Sequence, residues 1–171
     1  WYNGIIFLNY FAEKNYEIKG IDVSHYQGDI DWETISNQGI KFAFIKATEG
    51  KEFVDEKYST NFNNARKTDL KIGAYHFFTY DSDGVLQAEN FIRNVVKIEN
   101  MLPPVVDIEF YGEEYTVERT KEQLHIMLNK LEENYGKKPI IYTTYETYNW
   151  YIANDFKENY IWIRDVFFKP R

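Results

Sequence analysis

Short apolar runs rich in β-branched and aromatic residues alternate along the chain with stretches whose apolar positions recur every three or four residues. Runs of the first kind predict strands and stretches of the second kind amphipathic helices. Strands are expected near Gly20–Tyr26, Lys41–Thr48, Lys71–Phe78, Val105–Phe110, Pro139–Thr144 and Tyr160–Val166. Val85, Ala88, Phe91, Ile92 and Val95 share one helical face, as do Leu124, Met127, Leu128, Leu131 and Tyr135. Strand and helix in alternation make βαβ units, hence a parallel sheet with right-handed crossovers. Such a sheet either stays open and doubly wound or closes into a barrel, and periodicity does not choose between them.

Punctuation along the chain refines the helices. Asp31 can cap a short helix that Gly39 stops, and Asp55 can cap one that places Tyr58, Phe62 and Ala65 on a single face. Thr120 and Gln123 have capping-box spacing, with Gly136 and Pro139 as the stop signal of that helix. No glycine-rich phosphate loop follows the first strand, where Gly20-Ile21-Asp22-Val23-Ser24 runs straight into His25-Tyr26-Gln27, so nucleotide binding loses support. The apolar segment Gly4–Phe11 is far shorter than a membrane span and reads as a strand or docking segment.

A length of 171 residues fits one domain with a real core, and 44% hydrophobic against 27% charged residues is a globular composition. The net charge of -7 argues against nucleic acid as a partner, because phosphate binding needs clustered Lys and Arg. No protein partner is evident. With no cysteine, disulfides, thiolate metal sites and a Cys nucleophile are excluded. His25, His76 and His125 form no recognised ligand set, so no metal is expected. The chain opens at Trp1 without an initiator Met, as a processed product or fragment would, and a signal or anchor upstream is compatible with that.

The most informative run is Val105-Val106-Asp107-Ile108-Glu109-Phe110, which puts two carboxylates at i and i+2 on one side of a strand. A helix-covered parallel sheet is buried on both faces, and two neighbouring acids there cannot both ionise cheaply. One is pushed toward the protonated form near neutral pH, the property a general acid needs. The plain alternative is a solvated or Lys/Arg-paired couple at a strand end. Asp22 has the opposite parity to Ile21 and Val23 and either joins the pair on an interior face or serves a turn.

Gly20-Ile21-Asp22-Val23-Ser24-His25-Tyr26-Gln27-Gly28, Lys46-Ala47-Thr48-Glu49-Gly50, Gly73-Ala74-Tyr75-His76-Phe77, Val106-Asp107-Ile108-Glu109 and Ile161-Trp162-Ile163-Arg164 occur in this order. Together, from about Lys19 onward, they resemble the glycoside hydrolase family 25 lysozymes, also called Ch-type muramidases. The resemblance implies an α/β fold, a modified TIM-like β/α barrel with an acidic cleft at the strands' C-terminal ends. It implies hydrolysis of the β-1,4 bond between N-acetylmuramic acid and N-acetylglucosamine in peptidoglycan glycan strands, with no cofactor. Carried over by motif, Glu109 is the general acid and base, Asp107 orients the substrate's 2-acetamido group, and Asp22 completes the cluster. An acid pair this close suits a substrate-assisted route, with the acetamido oxygen as internal nucleophile.

Tyr75, Tyr142 and Trp162 match aromatics that line the family's cleft, although barrel core would equally account for them. Glu49 shares parity with Ala43 and Ala47 and faces either the cleft or a salt bridge. Residues 1–18 fall outside the resemblance as an N-terminal extension, and residues 19–171 are expected to be a catalytic domain lacking its last strands. A secreted or surface-anchored location fits that substrate. The rival readings are a non-catalytic glycan-binding module and a metal-dependent polysaccharide deacetylase, the latter disfavoured by the histidine spacing.

Overall fold

The computed structural model describes residues 18–110 and 116–165; the segment Gly4–Phe11 and the chain from Val166 onward lie outside them. Strands β1 (Lys19–Val23), β2 (Ile40–Glu49), β4 (Lys71–Phe77), β5 (Val105–Ile108), β6 (Ile140–Thr143) and β7 (Ile161–Ile163) are neighbours in that order. All of these pairs are parallel. The short β3 (Phe53–Val54) turns back antiparallel on the end of β2. Between strands run α1 (Trp32–Asn37), α2 (Tyr58–Ala65), α3 (Gly84–Asn94) and α4 (Val117–Tyr135), then α5 (Tyr145–Thr147), which continues as a π-turn to Ile152.

The core lies between one face of the sheet and these helices. Ala43, Ile45 and Ala47 of β2, Ala74 of β4, Val106 and Ile108 of β5 and Ile141 of β6 are fully enclosed with Ala88, Phe91, Leu124, Met127 and Leu131 from α3 and α4. Both amphipathic faces read from the sequence therefore land where their spacing puts them.

The other sheet face curls on itself. In a flat sheet β2 and β7, four strands apart, would be separated by roughly 19 Å. Instead the rings of Phe44 and Trp162 are 5.5 Å apart. Among the described residues β1 and β7 do not pair, so the sheet is an open half-barrel, a TIM-like arrangement without full closure.

Three local readings change. Asp55 is not itself the N-cap of α2, a position Lys57 takes, but its buried carboxylate serves two ends: Oδ1 accepts the backbone N–H of Lys57 at 2.9 Å, while Oδ2 accepts from the backbone N–H of His25 and meets its Nδ1 at 2.7 Å. The capping box at Thr120 and Gln123 is also displaced, because α4 starts one turn earlier with Thr116 as its N-cap. That extra turn packs Val117 against the core and buries Thr120. Gln123 is left to accept the backbone N–H of Gly84 at 2.8 Å. At its far end α4 stops as expected, at Gly136 with φ 66°. The helical stretch from Tyr145 is unanticipated, since its aromatic and Thr-rich composition favours strand, but the Thr144 side chain caps it by accepting from the N–H of Thr147.

The α3–α4 contact is unusually close at Gly84. A Cβ built there would lie 1.9 Å from the carbonyl oxygen of Gln123. Gly84→Ala is therefore expected to lower stability by about 2–3 kcal/mol, read as a reduced urea midpoint with unchanged m-value.

Candidate active site

Parallel strands gather their C-terminal ends at one rim, and the acids lie there. Register places Glu49, Phe77, Asp107, Tyr142 and Trp162 side by side across five adjacent strands. Asp22, near the end of β1, joins Asp107 across a narrow hollow whose walls include Phe44, Tyr75, Val105, Tyr142 and Trp162. About 10 Å³ is free inside it, room for roughly one water. Glu109, just past β5, is held from two directions: its backbone carbonyl accepts from Tyr80 Oη at 2.9 Å, and Arg164 Nη1 lies 3.3 Å from its Oε2.

Electrostatics single out Asp107. Its Oδ1 is buried and has no hydrogen-bond partner among the described residues. Burial, then the charges of Glu109 and Asp22, push its carboxyl up to about 8, against the opposing pull of Lys46 and Arg164. It therefore holds a proton at neutral pH. Asp22 reaches solvent, yet the protein wall behind it displaces water and raises its carboxyl too, opposed by a backbone hydrogen bond and by Arg164. Burial and the neighbouring aspartates keep the phenols of Tyr75 and Tyr142 protonated far above the usual tyrosine range.

Glu49 reaches the rim for a different reason from its parity with Ala43 and Ala47. Those alanines face the helices, and an irregularity between Lys46 and Thr48 shifts the strand by one residue, returning Glu49 to the rim row. There it also makes the alternative contact, an ion pair with Lys46 at 2.6 Å. Lys46, 8% exposed, lies 5.5 Å from the ring centre of Phe53 and 5.0 Å from that of Phe77. With Tyr26, Phe77, Thr79, Tyr80 and Asp81 these two line a second, wider hollow of about 430 Å³.

The histidines are dispersed. His76 is fully buried between Thr48 Oγ1 at 2.7 Å and Gln87 Oε1 at 3.0 Å, and burial lowers its imidazole to about 4. His25 pairs with Asp55, and His125 stacks on Phe156. Among the described residues no three side chains of metal-ligating type converge. Sequence reasoning missed Lys46, Tyr80 and Arg164. A lysine inside an otherwise apolar strand, and an arginine directly after Trp162-Ile163, were the available signals.

Comparison with known proteins agrees with this fold. The sequence profile of glycosyl hydrolases family 25 matches residues 21–171. Lysozyme M1 of Streptomyces globisporus is 36% identical over 147 residues, covering 77% of this chain and 48% of that protein. YegX of Escherichia coli K12 is 36% identical over 154 residues, 87% of this chain and 56% of that protein. The chain thus spans about half the length of the curated relatives it matches. A solved family 25 glycosyl hydrolase from Bacillus anthracis superimposes with TM-score 0.89 at 52% identity, over 91% of this chain and 74% of that one. With a profile match running from β1 through the last described strand, the chain belongs to glycosyl hydrolases family 25.

Proposed function

We propose that this chain is the catalytic part of a peptidoglycan muramidase, cutting the β-1,4 bond between N-acetylmuramic acid and N-acetylglucosamine. The observation that carries the reading is the meeting of Asp107, Glu109 and Asp22 at one rim beside Tyr75, Tyr142 and Trp162, close enough for the other two acids to raise the Asp107 carboxyl. Family membership and the lysozyme relatives support it. In this reading residues 19–171 form the catalytic domain and residues 1–18 an extension.

Glu109 gives its proton to the glycosidic oxygen as that bond breaks, and the substrate's acetamido oxygen closes on the anomeric carbon. Asp107, whose Oδ1 has no partner among the described residues, accepts a hydrogen bond from the acetamido N–H and fixes the group for attack. Water, deprotonated by Glu109, then opens the cyclic intermediate and restores both residues. Tyr75, Tyr142 and Trp162 offer phenol donors and ring faces to the sugar, Asp22 adds negative charge as positive charge develops, and Glu49 binds at the rim. This chemistry belongs in the cell wall, outside the cytoplasmic membrane. Among the described residues no helix is long and apolar enough to cross a membrane.

Incubation with purified peptidoglycan, followed by borohydride reduction and hydrolysis, tests the bond assignment. Muramitol is the expected new end. Glucosaminitol in its place would assign the cut to the other linkage, and no new ends at all would remove the enzyme reading.

A further inference from the structure

Glu109 lies one residue beyond the last ladder position of β5, so pairing within the sheet no longer fixes it. Tyr80 holds its backbone, and Arg164 holds its carboxylate at 3.3 Å. Arg164 is itself anchored: it follows β7 directly, and its backbone N–H donates to the carbonyl of Thr143 on β6 at 2.8 Å. We propose that Arg164 is a positioning residue for glycan cleavage, its guanidinium tying the Glu109 carboxylate to the β7 edge of the half-barrel and setting the acid pair in working register.

Several observations favour positioning over simple surface pairing. Arg164 is 47% exposed and Glu109 19%, so the ion pair contributes little to stability and its consequence is geometric. The guanidinium fork directs a carboxylate more strictly than an ammonium would. Its charge also reaches Asp22, Asp107 and Tyr142, on three different strands. Among the described residues the groups facing Asp107 are Glu109 just past its own strand, Asp22 from β1, Lys46 from β2 and Arg164 beyond β7, with the Tyr75, Tyr80 and Tyr142 phenols around them. Lys46 is already engaged by Glu49, which leaves Arg164, among the described residues, as the cation on the Glu109 side.

The proposal rests on the muramidase reading, and the test separates the two. Full-length parent, Arg164→Gln and Arg164→Lys are assayed on soluble glycan strands, and the carboxyl carbons of Asp107 and Asp22 are titrated by 13C NMR. Arg164→Gln is expected to lower kcat about 10- to 100-fold with KM held within about twofold, because misplacing one reacting group costs that order. Its Asp107 and Asp22 midpoints should rise by about half a pH unit or more as a favourable charge is lost. Arg164→Lys should keep the midpoints near the parent's and regain part of kcat. Melting temperatures within about 3 °C of the parent show that folding is not the cause. An active parent whose Arg164→Gln variant keeps its kcat, or keeps both midpoints, overturns the role of Arg164 alone. A parent that leaves the strands intact instead overturns the muramidase reading beneath it.

Discussion

Replacing Glu109 by glutamine is expected to abolish release of reducing ends from peptidoglycan, by at least about 10³-fold, while leaving the fold intact. Glutamine keeps the size and the acceptor oxygen of the side chain but can neither deliver a proton to the leaving oxygen nor take one from water, and general acid–base steps account for losses of about 10²–10⁴. The stability cost should stay within about 1 kcal/mol, since the contact given up is the half-exposed pair with Arg164. Far-UV circular dichroism and a urea titration check the fold alongside the assay. A Glu109→Gln variant that still cleaves at even a tenth of the parental rate would exclude this residue as the proton carrier.

Asp107→Asn should separate activity from stability in the opposite sense. Turnover is expected to fall by about 10²-fold or more, because an amide has no ionised form with which to steady the acetamido group, whereas a carboxyl at about 8 keeps a fraction of that form near neutral pH. Stability should depend on pH as follows. The carboxyl sits at about 8 in the folded chain and near the ordinary aspartate value when unfolded. Between those values the native state binds the extra proton, so the parent loses stability as pH rises from about 4 to about 8. Below that window the group costs nothing. Asparagine carries no such penalty, and the variant should therefore be the more stable protein at pH 8 by about 1–3 kcal/mol, after allowing for solvent at the rim. At pH 4 the two should unfold alike. Urea curves at both pH values decide it, and a variant less stable than the parent at pH 8 would mean that Asp107 is held ionised by contacts that favour its charge.

Much of this was legible because the residues concerned obey short-range rules. Strand parity puts Asp107 beside Glu109 and turns Val106 and Ile108 to the helices, and three-and-four spacing in α4 marks Leu124 through Tyr135 as its buried face. The barrel-like curl came from the family resemblance, since alternating strands and helices serve an open sheet equally well. Features set by distant partners stayed hidden. Asp55 has the composition of a cap and does accept the N–H of Lys57, but its second oxygen is taken by His25, thirty positions away. Thr120 and Gln123 have the spacing of a capping box, yet the core extends α4 past it. Parity failed at Glu49, because one irregularity inside β2 reverses which residues face the rim, and nothing local announces it. Arg164 becomes interesting only once β7 is seen curling round to meet Glu109.

Direct titration of the Asp107 carboxyl carbon by 13C NMR reaches the centre of the proposal without depending on substrate or assay. A midpoint near 8, moving down when Glu109 or Asp22 is neutralised, is the result to expect from buried acids crowding one rim. A midpoint near 4 that ignores both neighbours would show Asp107 to be a solvated acid apart from the others, and the proposed chemistry would go with it.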